Sequence, residues 1–163
     1  MLRIFSTGGT IDKVYFDEKS AYEVGEPLIH HILNEAQVTL DYAVTPLMRK
    51  DSLELTDEDR QTICKAVVEA EEKHVLITHG SDTMTVTGQS LLDAGIPALG
   101  KVVVITGALA PAMFRDSDAL FNIGMAFAAV QVAQPGVYVA MNGQIFPADG
   151  VRKNRERNRF ERI

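Results

Sequence analysis

Apolar residues along the chain fall into two alternating kinds of stretch: short β-branched runs and longer stretches with helical spacing. Runs such as Val102–Ile105 are apolar without a break, as expected for strands buried on both faces of a sheet. The pattern predicts five strands, at Leu2–Ser6, Leu40–Leu47, His74–Thr78, Lys101–Thr106 and Gly136–Met141, and four helices, at Glu26–Ala36, Asp57–Lys73, Thr83–Ala94 and Asp118–Val132. Strands and helices that alternate at these lengths predict a three-layer α/β/α domain around a mostly parallel sheet.

Two helix ends carry their own signals. Thr56 is suited to be an N-cap, with Asp59 at the position that completes a capping box. Gly95 followed by Pro97 is a normal helix stop. We find no repeat, no low-complexity segment and no internal linker, so residues 1–163 are expected to form one domain with a sizeable core.

Composition narrows the class of protein further. No apolar run approaches the roughly 18 residues that a membrane span needs, and the N-terminus enters a strand without a signal-peptide layout. Cys64 is the only cysteine, which excludes an intrachain disulfide and a cysteine-based zinc site. These features favour a cytoplasmic protein without a membrane partner.

The formal net charge of −6 is unevenly distributed. Residues 152–163 hold six basic and two acidic side chains, a net charge of +4, so the first 151 residues carry −10. A basic end of this kind is a nucleic-acid arm, a solvated tail or a segment that folds against an acidic neighbour. Because the rest of the chain is acidic and the segment has one aromatic residue, Phe160, we expect no nucleic-acid partner.

The first strand runs into a glycine turn flanked by hydroxyl residues, Thr7-Gly8-Gly9-Thr10. Paired glycines after a strand allow the backbone to approach a ligand closely, because no Cβ intervenes. The turn lacks the spacing of dinucleotide-binding and phosphate-binding loops, so a nucleophilic or substrate-gripping Thr10 is the sharper hypothesis. A tight loop with two solvated threonines is the plainer alternative.

Ligands bind beyond the carboxyl ends of the strands in sheets of this class, and the other predicted strands also end in polar residues. The third strand leads into His79-Gly80-Ser81-Asp82-Thr83. One of Ser81 and Asp82 is expected to cap the following helix. A hydroxyl beside a carboxylate at a helix start also suits an amino-acid ligand, because the carboxylate accepts an ammonium group.

With these two motifs, the sequence resembles the bacterial-type L-asparaginase/glutaminase family, in its N-terminal domain. The resemblance extends over almost the whole chain in consistent order. The blocks that carry it are Thr7–Ile11, Tyr22–Gly25, Asp51-Ser52, His79–Met84, Thr106–Ala108 with Pro111, Ser117-Asp118, Phe121-Asn122, Met141-Asn142 and Val151–Asn154.

The resemblance implies a role for each matching residue. Thr10 would attack the side-chain amide of asparagine, and Tyr22 would activate it. Ser81, Asp82 and Lys153 would form a second hydroxyl–acid–base set. Asp82 and Ser52 would hold the α-ammonium and α-carboxylate, and the backbones of Gly9, Gly80 and Ala108 would complete the pocket. A free lysine is neutral in about one in 2,500 molecules at pH 7, so Lys153 is either a base or an orienting partner of Asp82.

The sequence departs from the family pattern in four places. Ser81 replaces the usual threonine, Leu53 replaces a polar residue in many members, and Ala110 replaces a common arginine. The sequence given ends at Ile163, whereas typical members continue into a smaller C-terminal domain that completes a neighbour's site. The sequence is therefore expected to be either a naturally short form or a piece of a longer protein. In both cases the acid that partners the tyrosine, and part of the ammonium site, must come from elsewhere or be missing.

From these features we expect an asparaginase-type amidohydrolase without a metal or organic cofactor, acting on L-asparagine, with L-glutamine as a further candidate substrate. A homo-oligomer, with a dimer favoured, would shield the pocket through residues 152–163. Two other functions stay open: a module that binds asparagine or aspartate without turnover, and an amidotransferase subunit.

Overall fold

The structure, a computed structural model, describes residues 1–163. Its centre is a six-stranded sheet in the order β4-β1-β5-β6-β7-β8, in which only β8 is antiparallel to its neighbour. The strands are β1 (Leu2–Gly8), β2 (Lys13–Phe16), β3 (Ala21–Val24), β4 (Tyr42–Lys50), β5 (His74–Thr78), β6 (Val102–Thr106), β7 (Gly136–Met141), β8 (Gln144–Pro147), β9 (Val151–Asn154) and β10 (Arg159–Arg162). The helices are α1 (Ile29–Glu35), α2 (Asp57–Glu69), α3 (Met84–Asp93) and α4 (Ala119–Val132).

Side chains of the sheet enter two separate cores. Val103 and Ile105 of β6 pack on one side with Ile63 of α2, and Val102 and Val104 pack on the other with residues of α1 and α4. Successive residues of a strand point to opposite faces, so an unbroken apolar run fills both cores. The predicted three-layer α/β/α fold with a mostly parallel sheet is confirmed.

All four helices are shorter than predicted, and α1 and α2 differ most, by four residues each. α1 starts at Ile29 rather than Glu26, because the preceding segment is held by a hydrogen bond from the Leu28 N–H to the Asp12 carboxylate, 2.9 Å long. α2 ends at Glu69 rather than Lys73, because Ala70 adopts an extended conformation. The predicted capping box at its start, between Thr56 and Asp59, is confirmed. None of the four helices has the length and apolar content that a membrane span requires.

Two small antiparallel pairs, and the edge strand β8 of the main sheet, were not predicted. β2 and β3 form a hairpin over residues 13–24, between the first glycine turn and α1. β9 and β10 form a ribbon from the basic segment. Phe160 of this ribbon is only 2% exposed and packs in the core that contains Val103, Ile105 and Ile63. Within the ribbon, Glu161 forms ion pairs with Arg159, Arg157 and Arg152 at 2.7, 3.9 and 3.6 Å. The basic segment is therefore folded onto the domain, with part of its charge neutralised internally.

Candidate active site

Three loops meet at glycines beyond the carboxyl ends of β1, β4 and β5. A Cβ placed on Gly9 would lie 2.5 Å from the Gly80 backbone, and one placed on Gly80 would lie 2.5 Å from the Ser52 Cβ. Such distances are too short for real Cβ atoms, so only glycine allows these loops to touch. Gly9 also has a φ of 89°, a conformation that glycine adopts without strain.

Thr10 begins the short 3₁₀ turn Thr10–Asp12 that follows β1. Its side chain is half-buried, and its hydroxyl makes no hydrogen bond within the chain. Because the adjacent Gly9 packs on Gly80, Thr10 lies next to the turn that carries Ser81. The hydroxyl is thus positioned by the backbone of its turn rather than by a side-chain partner.

Lys153, on strand β9 of the ribbon, contacts the motif of residues 79–83 that follows β5. The Lys153 Nζ donates to the Ser81 Oγ at 2.8 Å and to the Asp82 Oδ1 at 2.7 Å. The Lys153 side chain is 9% exposed, whereas that of Asp82 is 31% exposed. Arg155 lies farther away, with its Nε 4.0 Å from the same Asp82 oxygen. The structure therefore brings together three of the residues predicted to be catalytic: Ser81, Asp82 and Lys153.

The expectation that Ser81 or Asp82 caps α3 is wrong. Thr83 is the N-cap residue, and no side chain makes a capping hydrogen bond there. The Thr83 hydroxyl instead donates to the Ser52 carbonyl at 2.7 Å. The side chains of Ser81 and Asp82 are turned towards Lys153, which is distant in sequence and could not enter a local capping argument.

Ser52 is buried between the ends of β4 and β5. Its Oγ accepts a hydrogen bond from the Asp82 N–H at 3.2 Å. Asp51 starts this turn with a capping box formed with Glu54, and its carboxylate pairs with Lys13 at 2.9 Å. Burial raises the pKa of Asp51, but its bonds to Lys13 and to the Leu53 N–H outweigh burial and bring the pKa below its ordinary value.

His79 is a buried part of the site for which the sequence pattern predicts no role. Burial lowers the pKa of His79 to about 4, against the opposing effect of its bond to Gly80, so the ring is neutral at pH 7. Its Nδ1 lies 2.8 Å from the Gly80 carbonyl oxygen and its Nε2 2.8 Å from the Thr87 hydroxyl. Because a carbonyl only accepts, Nδ1 carries the proton and Nε2 accepts from Thr87. His79 thereby fixes the orientation of the Gly80 peptide.

Tyr22 lies on β3, outside the buried part of the site. It is 49% exposed, and its ring packs between Tyr15 and Phe114, with centroid distances of 5.3 and 5.7 Å. It lines an open cavity of about 440 Å³ together with Lys13 and Asp51. Its hydroxyl makes no hydrogen bond within the chain, so the structure does not join Tyr22 to Thr10.

The turn after β6 completes this edge of the sheet. Ala108 is buried, and the next two N–H groups donate to the Asp118 carboxylate at 3.0 and 3.1 Å. The Asn122 side chain donates to the Gly107 carbonyl at 3.0 Å. These bonds fix the backbone beside Ala108. No group of three or more His, Cys, Asp or Glu side chains is arranged to hold a metal ion.

Comparison with known proteins finds one family along nearly the whole chain. The family model described as Asparaginase, N-terminal, matches residues 1–161. The chain is 31% identical over 161 residues to the L-asparaginase of Thermococcus kodakarensis, a match that covers 93% of this chain and 47% of that protein. The chain therefore spans about half the length of the curated relative it matches.

Solved structures agree with this match. The thermostable L-asparaginase from Thermococcus kodakarensis superposes with a TM-score of 0.81 at 29% identity, over 99% of this chain and 51% of that one. A probable cytoplasmic L-asparaginase from Campylobacter jejuni gives 0.72 at 27% identity, with the same coverage. L-asparaginase I from Vibrio cholerae, at 23% identity, gives 0.80 over 99% of this chain and 50% of that one and shows the shared fold.

Proposed function

The chain belongs to the asparaginase family, over the part that matches its N-terminal domain, and on that premise we propose that it is an amidohydrolase. Its proposed substrate is L-asparagine, whose side-chain amide it would convert to the acid and ammonia. The observation that carries the proposal is the contact of Lys153 with Ser81 and Asp82, beside the turn that presents Thr10.

In the proposed reaction, the Thr10 hydroxyl oxygen adds to the carbon of the side-chain amide and gives up its proton. The C–N bond of the tetrahedral intermediate then breaks, and the nitrogen leaves as ammonia with a proton from the site. Water next adds to the acyl ester, and the Thr10 oxygen is the leaving group, which restores the enzyme. Hydrogen-bond donors at the site would stabilise the oxyanion of each step, but the Gly9 N–H is not one of them, because it donates to the Lys50 carbonyl at 2.9 Å.

The proposed amino-acid grip rests on Asp82 and Ser52. The Asp82 Oδ1 is occupied by Lys153, whereas its Oδ2 makes no hydrogen bond within the chain and can accept an α-ammonium. Ser52 accepts from the Asp82 N–H, so its own hydroxyl proton is available to an α-carboxylate. We infer that Lys153, as a donor to Ser81 and Asp82 together, orients this half of the site.

Ammonia release from asparagine, glutamine and buffer alone tests the proposal, with Thr10→Ala as the central variant. Loss of the nucleophile is expected to reduce turnover by at least about 1,000-fold. The melting temperature should hardly change, because the Thr10 hydroxyl makes no hydrogen bond. Thr39→Ala, in an exposed loop, is the matched control. Turnover by Thr10→Ala within a few-fold of the original chain would contradict the assignment.

An amino-acid-binding module is the second candidate, because Ser52, Asp82 and Lys153 are assembled while Tyr22 makes no bond to Thr10. Calorimetry with asparagine distinguishes the two functions. Tight binding that is lost in Asp82→Asn, without ammonia release, would favour the module. A homo-dimer that shields the site through residues 152–163 remains a prediction.

A further inference from the structure

A buried acid, Asp12, lies two residues beyond the proposed nucleophile and has no part in the chemistry described so far. It is 1% exposed. Its backbone N–H donates to the Gly9 carbonyl at 3.2 Å, which closes the turn that holds Thr10. Its backbone carbonyl accepts from the Gly25 N–H at 2.8 Å, at the point where the β2–β3 hairpin ends. One residue thus contacts both the nucleophile turn and the exit of the hairpin.

The side chain of Asp12 adds a second connection between the same elements. Its Oδ1 accepts from the Leu28 N–H at 2.9 Å, and its Oδ2 accepts from the Ser6 hydroxyl on β1 at 3.3 Å. Since the hairpin leaves the turn at Lys13 and returns at Gly25, both of its ends are fixed at Asp12. The position of Tyr22 relative to Thr10 depends on this junction.

We propose that Asp12 is a positioning residue for the proposed amide hydrolysis: its carboxylate fixes the exit of the hairpin against β1 and so sets where Tyr22 lies relative to Thr10. The inference rests on the proposed function. Burial of the charge makes ionisation of Asp12 costly to the fold as a whole, but the bonds from Leu28 and Ser6 favour the ionised form. Because charge-assisted hydrogen bonds are stronger than neutral ones, ionisation tightens these two local contacts even as it lowers the overall stability.

No cation balances this carboxylate. The neighbouring elements carry ionisable side chains that do not pair with Asp12: Lys13, Glu26, His30, His31 and Arg115. Lys13 pairs with Asp51, Glu26 with Arg49, and His31 with Glu35. Burial therefore raises the pKa of Asp12 to about 6, against the lowering effect of its bonds to Leu28 and Ser6. The strength of the junction should change between pH 5 and pH 7.

The experiment compares the original chain with Asp12→Asn, which keeps the shape and one acceptor but removes the charge. Glu72→Gln is the control, because Glu72 is a buried carboxylate beside Arg3 at the opposite ends of the strands. Two quantities are followed from pH 4.5 to 8: the NMR shifts of the Leu28 and Gly25 amides, and kcat and KM for ammonia release from asparagine.

In the original chain and in Glu72→Gln, both amide signals should titrate with a midpoint near pH 6, and kcat should rise roughly tenfold from pH 5 to 7. In Asp12→Asn the titration should disappear, and kcat should be pH-independent and about tenfold lower at pH 7, with KM within twofold. Asp12→Asn keeps every other ionisable side chain of the original chain, so the difference between the two pH profiles isolates Asp12.

The outcomes separate this inference from the proposed function. If Asp12→Asn keeps the original kcat and its pH profile, the inference is overturned and the amidohydrolase stands. If no ammonia is released at all, the amidohydrolase is overturned, and the ring contact between Tyr22 and Phe114 decides the positioning role. Loss of that contact in the NMR spectra of Asp12→Asn supports the role, and an unchanged contact overturns it.

Discussion

The part of the candidate site at the ends of the sheet strands and the part on the β2–β3 hairpin differ in how firmly the chain holds them. At the strand ends, Ser52, Ser81, Asp82 and Lys153 are joined by hydrogen bonds of 2.7 to 3.2 Å. On the hairpin, Tyr22 is half exposed and makes only ring contacts. The groups proposed to grip an amino acid are therefore assembled, whereas the tyrosine proposed to activate Thr10 is not.

This difference follows from how each part is built. The strand ends are brought together by the sheet ladder and by glycines that allow loops to touch. The hairpin is outside the sheet and is fixed at its base by Asp12 and by ion pairs of Lys13 and Glu26 with residues at the end of β4. We infer that the proposed substrate binding depends on the rigid strand ends. The proposed activation of Thr10 depends on the β2–β3 hairpin, which adjusts its position. Four changes test this division.

Lys153→Met should have the largest effect. It removes the donor that orients Ser81 and Asp82, and we expect kcat to fall by about 100-fold, because misplacement of these groups by about 1 Å has an effect of that size. Arg155→Met is the matched control, because Arg155 is exposed and 4.0 Å from the same carboxylate, and it should change kcat less than about threefold. Equal losses in steady-state ammonia assays would show that charge near Asp82, rather than the Lys153 contact, is what matters.

Lowering the pH should change the stabilising contributions of His79, at the strand ends, and of Asp12, at the base of the hairpin, in opposite directions. The folded-state pKa of His79 is lowered to about 4, so its contribution is present above pH 6.5 and is lost as the pH falls. The folded-state pKa of Asp12 is raised to about 6, so its contribution is complete below pH 3.8 and is lost as the pH rises through 6. At pH 4.5 each effect amounts to about 2 kcal/mol relative to pH 7, and the two nearly cancel.

Asp12→Asn removes one of these opposing effects. The stability of the variant relative to the original chain should therefore be greater by about 2 kcal/mol at pH 7 than at pH 4.5. For a domain of this size the corresponding shift in melting temperature is roughly 4 to 8 °C. Thermal unfolding at the two pH values measures it. A constant difference between variant and original would mean that Asp12 does not titrate in this range.

Gly80→Ala should damage the rigid part by packing alone. The new Cβ would lie 2.5 Å from the Ser52 Cβ and 2.6 Å from its Oγ, and overpacking of this kind costs about 1–3 kcal/mol. Gly124→Ala is the control, because nothing lies within 4 Å of a Cβ placed there. The residue is inside α4, where replacing glycine by alanine stabilises the helix by about 0.5–1 kcal/mol. Urea unfolding should show a lower free energy of unfolding for Gly80→Ala and a higher one for Gly124→Ala, each relative to the original chain.

Lys13→Met should have the smallest effect. It breaks the partly exposed pair with Asp51, which is worth about 0–1 kcal/mol to folding, so unfolding should hardly change. If the hairpin adjusts during turnover, kcat/KM should fall by roughly two- to fivefold and lose its dependence on NaCl between 0.05 and 0.5 M. Lys65→Met, from an exposed pair on α2, should leave kcat/KM and its salt dependence intact. If kcat/KM of Lys13→Met still depends on NaCl, the salt dependence comes from charges other than the Lys13–Asp51 pair.

The five parallel strands of the sheet were predictable because burial on both faces leaves an unbroken apolar run, as in β6, and the four helices were predictable from their apolar spacing. The antiparallel edge strand β8 was not predicted. The β2–β3 hairpin was not, because its strands have four residues each and its turn ends at Ser20 in a left-handed conformation rather than at a glycine. In the ribbon, the basic residues obscured the buried apolar side chains that anchor it, Val151 and Phe160.

The site was predictable only in part. Strand order places the loops of Thr10 and Ser81 side by side, and sequence pattern is enough to expect that. The partner of Ser81 lies 72 residues away, and only the family resemblance pointed to Lys153. Asp12 resembles a solvated loop acid in sequence, because its burial results from Leu28 and Ser6 folding over it.

The 72 residues between Ser81 and Lys153 also set an order of events during synthesis. At about 5–20 residues per second, a ribosome that has made Ser81 needs roughly 4–14 s to reach Lys153. When Ser81 has just been made, the nascent domain has β1, β4 and β5 and the turns that carry Gly9 and Gly80, whereas β6, β7, Lys153 and Phe160 are still to be made. A nascent chain therefore cannot finish assembling the candidate site until the ribbon has emerged from the ribosome.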